Sequence, residues 1–338
     1  MSTALEPGNQ VESCQIRERL PGSFNAMTYI ADFYPDKAAK RLRLELQQCK
    51  EQEQQILLRQ RLKFITRMGK DKITVFLKQY NDPGYRDPLL WEYVPYQQKL
   101  HAIINGCAGD CLCRELDSFI CKEKGMRGYF QALDFFEKNQ PLTDILEGRS
   151  GSILSRNDTL PFEEMLFHAK KMLYAISILH ENKIVHGDLK PDNLLLLPNE
   201  GCAYRTTLRV IDFDASLMLG VPHPRKVLFK KENPEATYRY RGTKGYLSPE
   251  HFEGEDPCPA SDIFTASVIA LEMLSKSGHP FPFSDEGKYR EAVRKGEFLF
   301  SGTKGPLSST AIEALKAGLS YRKENRPSAL DLLEALKS

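Results

Sequence analysis

Two polar clusters, each joined to an apolar run, constrain this chain more than any other feature. The octapeptide HGDLKPDN at 186–193 leads into LLLL at 194–197, and LRVI at 208–211 runs into Asp212-Phe213-Asp214. A short apolar run bounded by polar residues reads as a buried-type strand. Upstream, PFEEMLFHAKKMLYAISILHEN at 161–182 places Phe162, Met165, Ala169, Met172, Ile176 and Leu179 on one helical face. The polar octapeptide therefore hangs between a long amphipathic helix and a buried run.

The two sides of this motif differ in character. Residues 1–15 are polar and read as a disordered, frayed terminus. Residues 16–34, with a Pro-Gly turn, read as one or two strands. Residues 36–62 hold no Gly or Pro and are rich in helix formers, with Leu42, Leu46, Cys49 and Ile56 on one stripe; they predict one extra amphipathic helix. LKFITR, MGKD and KITVFLKQY then predict a two-strand hairpin, and DPLLWEYVPYQQKLHAI a helix kinked or split at Pro95. LDSFICKE and GYFQALDFF read as strands. After about residue 140, helices dominate: SDIFTASVIALEML is apolar nearly all round, and LSSTAIEALKAGLS and SALDLLEALKS are amphipathic. The fold class expected is α+β, bilobal, with a small β-rich half at 16–134 and a larger helical half at 135–338.

Composition excludes several alternatives. The 338 residues are 41% hydrophobic and 27% charged, ordinary for a globular chain. A net charge of +2 favours neither nucleic acid nor a membrane surface as partner. No apolar run approaches the roughly 20 residues of a membrane span. MSTALEPGNQVE lacks a basic n-region and an apolar h-region, so a cytoplasmic location is expected. Of eight cysteines, Cys107, Cys111, Cys113 and Cys121 cluster. A zinc site is one reading; the spacing lacks paired C-x-x-C, which favours buried thiols.

The chemistry sits in the polar clusters. Phosphoryl transfer requires an oriented hydroxyl, neutralised charge and hard oxygen ligands for Mg²⁺. Asp188 can accept or orient a hydroxyl proton. Lys190 can approach a transferring phosphate, and Asn193 offers an amide oxygen to Mg²⁺. Asp212, 24 residues beyond Asp188 at the end of a strand, suits a second Mg²⁺ ligand.

These motifs resemble the eukaryotic-type (Hanks-type) protein-kinase family, clearly over 70–338 and poorly over 16–69. The resemblance implies ATP and Mg²⁺ as cofactors and Ser/Thr hydroxyls of a protein substrate as acceptors, with Asp188 as catalytic base. VFLK at 75–78 makes Lys78 the residue that holds the α- and β-phosphates. Glu92 is then its helix partner, with Glu115 and Glu123 as alternatives. FQALDFFEKNQPLTDIL resembles strand five and the hinge, implying Leu133 as gatekeeper and Asp134 to Phe136 as adenine-contacting. RGTKGYLSPEHF resembles the peptide-docking loop and the A-P-E element. Glu250 should pair with Arg326, and Asp262 should fix the catalytic-loop backbone. Lys190 and Thr243 match the serine/threonine type.

Three departures accompany the resemblance. Gly187 stands where the family has arginine, which implies activity that does not strictly need loop phosphorylation at Thr237. No G-x-G-x-x-G precedes Lys78. The nearest glycine, Gly22, lies 56 residues before it; either 36–62 is an insertion or the phosphate flap is rebuilt. Asp214 replaces a glycine and either contacts metal or stays solvated. Two rival readings remain, a pseudokinase scaffold and a small-molecule kinase of kinase-like fold; substrate and oligomeric state are not encoded legibly. The basic stretch at 224–244 reads as a substrate-selecting or a solvated loop.

Overall fold

The computed structural model describes residues 4–21, 26–80, 87–121, 128–155, 158–233, 235 and 243–337; for 87–92, 228–230 and 232 it describes backbone only. The chain forms two compact units, Met1–Cys107 with Cys113–Phe136, and Ala108–Leu112 with Glu137–Ser338. The pentapeptide at 108–112 thus belongs with the second unit rather than inside a continuous 16–134 half. No helix among the described residues is long and apolar enough to cross a membrane.

In the first unit the elements run β1 (Gln10–Val11), β2 (Cys14–Leu20), β3 (Ala26–Phe33), α1 (Pro35–Gln48), α2 (Gln52–Thr66), β4 (Ile73–Tyr80), α3 (Asp87–Cys107), β5 (Glu115–Cys121) and β6 (Gly128–Asp134). The six strands make one sheet in the order β1-β2-β3-β4-β6-β5, with every pairing antiparallel. The stretch expected to be frayed, 1–15, supplies β1 and the start of β2. Leu5, Val11 and Cys14 in it are buried.

Opposed residues of an antiparallel pair share a face, so the register divides the sheet. Tyr29, Ala31, Val75, Leu77, Phe119, Phe130 and Ala132 make a dry face that packs with Ala38, Ala39 and Leu42 of α1 and Leu58 and Ile65 of α2. Thr28 and Ile30, Phe76 and Lys78, and Gln131 and Leu133 lie on the other face. There, Tyr93 of α3 meets Tyr129 edge-on at 6.5 Å, and Tyr129 stacks on Tyr80 at 5.3 Å.

Two expectations need correction here. The single helix over 36–62 is two helices, broken at Cys49, whose backbone is extended at φ −75 and ψ 127. The break needs no Gly or Pro: Gln55 Nε2 caps the Cys49 carbonyl at 2.8 Å, and doubling back lets Leu42 and Leu58 reach the same core. The strand expected at 62–67 is the last turn and C-cap of α2, because Ile65 continues the buried stripe from Leu58. β4 therefore pairs with β3 and β6 instead. The two helices lie in the chain between β3 and β4. Buried charge ties them down: Asp117 on β5, with no exposed side-chain surface, binds Arg41 Nη2 at 2.7 Å and Arg61 Nη2 at 3.1 Å. Its Oδ2 also accepts from Ser13 Oγ at 3.0 Å.

The second unit runs β7 (Gln140–Pro141), α4 (Leu142–Leu146), α5 (Phe162–Glu181), β8 (Ile184–Val185), a 3₁₀ turn at Pro191–Asn193, β9 (Leu194–Pro198), β10 (Thr206–Val210), β11 (Leu217–Met218), α6 (Pro224–Glu232), α7 (Pro249–Glu253), α8 (Pro259–Leu274), α9 (Glu286–Lys295), α10 (Ser309–Gly318) and α11 (Ala329–Ala335). α5 has Glu163 and Glu164 in its first turn and His180 in its last, favourable at both ends of the helix dipole. Its stripe Met165, Ala169, Met172, Ile176 and Leu179 is buried, and α8 is buried on nearly all sides. These two helices pack together and carry small strand pairs at their edge, β9 with β10 and β8 with β11. The loop 186–193 emerges between β8 and β9.

Candidate active site

The 186–193 loop is held by its backbone. Asp262, from the first turn of α8, accepts from His186 N at 2.8 Å, from Gly187 N at 3.0 Å and from His180 Nε2 at 3.0 Å. Burial pushes this carboxyl up, but the His180 hydrogen bond and its fellows outweigh it and hold Asp262 below the usual carboxylate range. It stays a charged acceptor. The expectation that Asp262 fixes this backbone is met by its contacts; His180 is a partner that sequence inspection missed.

Side chains then gather on the pinned loop. Lys190 Nζ lies 3.1 Å from Asp188 Oδ2 and donates to Thr243 Oγ1 at 3.0 Å. Thr243 Oγ1 donates to Asp188 Oδ1 at 3.2 Å. Asp188 and Lys190 retain 20% and 21% side-chain exposure, so both remain reachable. Asn193 Nδ2 donates to the Asp188 carbonyl at 2.8 Å, which turns the amide oxygen the other way. Ile211 N donates to the Asn193 carbonyl at 2.9 Å, and Val210 pairs with Leu194. Strand pairing thus delivers Asn193 and Asp212 to one end of the β9–β10 pair.

The donor set of Asn193 and Asp212 fits Mg²⁺, a hard ion that takes one or two protein oxygens and completes its shell with phosphate and water. Asp212 has φ 66, a left-handed backbone uncommon for a side-chain-bearing residue. Asp214 has no such demand: it is half-buried in a turn closed by Ser216 N to Phe213 O at 3.1 Å. The position that does require glycine is 187. Its φ is 78, and a Cβ there would stand 2.7 Å from the Ala215 carbonyl oxygen.

The pair expected between Glu250 and Arg326 is present. Arg326 makes a bidentate pair with Glu250, Nη2 to Oε1 at 2.9 Å and Nη1 to Oε2 at 3.0 Å. Burial raises the Glu250 carboxyl, yet Arg326 wins and holds it below its ordinary value.

In the first unit, Lys78 is half-buried on the sheet face that α3 adjoins, opposed to Thr28 and Gln131. Glu92 lies in α3, but its side chain falls outside the described residues, as do Gly22, Glu123 and Thr237. Glu115 is buried; its Oε2 accepts from Gln131 Nε2 at 2.9 Å and lies 3.6 Å from His101 Nε2. Leu133 is half-buried two rungs from Gln131 on the Lys78 face. Asp134 is engaged by Arg114, with its N–H on the Arg114 carbonyl at 3.0 Å and its carboxylate on the guanidinium at 2.9 and 3.0 Å. Phe136 ends this unit, half-buried. The four clustered cysteines are free; Cys111, Cys113 and Cys121 are buried. Among the described residues, no group of three or more His, Cys, Asp or Glu is placed to hold a metal ion.

Comparison with known proteins identifies the family. A family model described as "Protein kinase domain" matches residues 127–336, more than half of the chain. The calcium and calcium/calmodulin-dependent serine/threonine-protein kinase of Oryza sativa subsp. japonica is 30% identical over 165 residues, 48% of this chain and 29% of that protein. Its namesake from Lilium longiflorum is 31% identical over 160 residues, 47% of this chain and 28% of that protein. The protein named serine/threonine-protein kinases drp72, from Corynebacterium efficiens, is 31% identical over 183 residues, 54% and 31% of the two chains. The chain therefore spans under a third of the length of these relatives.

Proposed function

This chain belongs to the protein kinase domain family, and on that premise we propose that it transfers the γ-phosphate of ATP to serine or threonine hydroxyls of protein substrates. The observation that carries the reading is the Asp188–Lys190–Thr243 cluster on a loop pinned by Asp262. In the reaction, the substrate hydroxyl displaces Thr243 from an Asp188 oxygen and hands its proton to that carboxylate. The hydroxyl oxygen bonds to the γ-phosphorus as the bond to the β–γ bridging oxygen breaks, leaving ADP. Lys190 offsets the charge on the transferring group. Asn193 and Asp212 would hold Mg²⁺, which neutralises charge on the phosphate oxygens when bound. Lys78 takes the α- and β-phosphates, and Leu133 with the 134–136 segment frames the adenine.

The Lys190–Thr243 hydrogen bond supports Ser/Thr over Tyr acceptors, as do the names of the relatives. The test is incubation of the chain with Mg-ATP, a generic basic protein and a mixture of small alcohols. Phosphate on protein, abolished in both Asp188→Ala and Asp212→Ala, is the expected result. Transfer to alcohols alone would favour a small-molecule kinase. No transfer by wild type would favour a scaffold.

A further inference from the structure

Gly187 immediately precedes the candidate base, and glycine is the residue with the greatest backbone freedom. The structure forbids a side chain there, because a Cβ would stand 2.7 Å from Ala215 O. A base on a loose peptide would lose its orientation, so something must restrain the Gly187–Asp188 peptide plane. On the Gly187 N–H side the restraint is Asp262. Within the plane itself, the Asp188 N–H makes a long 3.4 Å contact to His186 Nδ1. The carbonyl of the same plane meets His251 Nε2 at 3.3 Å.

His251 is itself held. It sits in α7, one residue after Glu250, whose bidentate bond to Arg326 anchors that turn. Its Nδ1 lies 2.8 Å from the hydroxyl of buried Ser248. A carbonyl only accepts, so Nε2 carries the hydrogen; in the neutral ring Nδ1 is then an acceptor, and the Ser248 hydroxyl donates to it. Burial favours that neutral ring and lowers the His251 pKa against the opposing pull of the Gly187 carbonyl, Asp262, Glu250 and Asp188. Together Gly187, Asp188, Thr243, Tyr246, His251 and Asp262 line one shallow concavity.

We propose that His251 is a positioning residue for Asp188: through Nε2 it holds the Gly187–Asp188 peptide plane, with Ser248 fixing its tautomer. The role rests on the kinase reading only for its catalytic consequence. It accounts for how a loop with glycine at 187 stays rigid without a phosphate-dependent contact from that position.

The experiment pairs steady-state kinetics with amide hydrogen exchange on the full chain. His251→Leu should accelerate exchange at Gly187 and Asp188 and lower kcat about tenfold, one hydrogen bond's share, with KM for ATP and protein unchanged. His251→Gln, whose Nε2 can donate to the same carbonyl, should restore both. Ser248→Ala, which keeps the ring but frees its tautomer, should fall between and serves if His251→Leu does not fold. Unchanged exchange in His251→Leu, or loss of kcat that tracks melting temperature and is not restored by Gln, would overturn the proposal. If wild type transfers no phosphate, the kinase reading fails alone: the exchange arm still supports the proposal when His251→Leu loosens the two amides and Gln restores them, and rejects it when they are unmoved.

Discussion

Replacing Arg326 by methionine tests the buried anchor of α7 in a form that yields a number. The Arg326 side chain has no exposed surface and that of Glu250 is 4% exposed. Beyond the bidentate pair, Arg326 donates to the carbonyls of Ala260 at 2.7 Å, Ser320 at 2.7 Å and Tyr321 at 3.0 Å. Arg326→Met leaves the Glu250 carboxylate buried, with only neutral hydroxyl partners, Ser261 Oγ at 2.9 Å and Ser248, among the described residues. Breaking a buried pair from one side costs about 3–5 kcal/mol. Glu250→Leu strands the guanidinium and costs a similar amount. The double variant removes both charges but leaves three backbone carbonyls undonated, at about 1 kcal/mol each. It should therefore lie about 3 kcal/mol below wild type, against a sum of singles of about 6–10, a coupling of at least 3 kcal/mol. Urea unfolding followed by circular dichroism at 222 nm, at constant m-value, measures all four corners. A coupling below about 1 kcal/mol would mean the pair behaves as a surface ion pair and would refute the reasoning. The pH dependence has a definite sign. The folded pKa of Glu250 is depressed, so its contribution is complete above the unfolded value near 4.5 and disappears as pH falls through the lower folded value.

Other perturbations have outcomes as definite. His168 donates from Nε2 to Thr206 Oγ1 at 2.8 Å, buries Nδ1 with no hydrogen-bond partner among the described residues, and is pushed down to about 3 by burial. The unfolded state therefore binds the extra proton, and stability should fall as pH drops from about 6.5 toward 3, with His168→Gln shallower by about 1.4 kcal/mol per pH unit in acid urea titrations. Gly187→Ala should lower stability by about 1–3 kcal/mol and phosphate transfer more than tenfold, because it adds positive-φ strain and a contact with Ala215 O; wild-type melting temperature and rate would contradict the backbone account. Asp117→Asn should destabilise the first unit by about 3–5 kcal/mol, read from the fluorescence of the single tryptophan, Trp91, in that unit. An unchanged urea midpoint would dismiss the arginine pair as a structural tie.

Much of the site was legible because its chemistry is local. HGDLKPDN packs candidate base, lysine and amide into eight residues, and the apolar run before Asp212 announced a strand whose pairing delivers it to Asn193. Asp262, Glu250 and Arg326 were legible from order and spacing within the family pattern. The helical stretch between β3 and β4 was only half legible. Its composition declared helix, but the reversal at Cys49 comes from tertiary packing of Leu42 and Leu58, which no local residue marks. LKFITR reads as a strand over six residues and becomes helix because Ile65 extends a stripe begun at Leu58. The emphasis on Asp214 was displaced for a related reason: backbone torsion decides where glycine is needed, and here it is needed at 187. Nothing local pointed to His251, since its partners lie 64 residues upstream and 3 residues away.

The buried carboxylate on β5 also imposes a timetable. Arg41 and Arg61 leave the ribosome 76 and 56 residues ahead of Asp117. At 5–20 residues per second, that is roughly 4–15 s and 3–11 s during which neither guanidinium has its anion. Over the same interval the apolar stripe of α1 and α2 lacks β5 and β6, the strands that complete its floor. The first helices made are thus among the last to settle, and translation speed through 115–134 governs how long this stripe is open to chaperones or to misassociation.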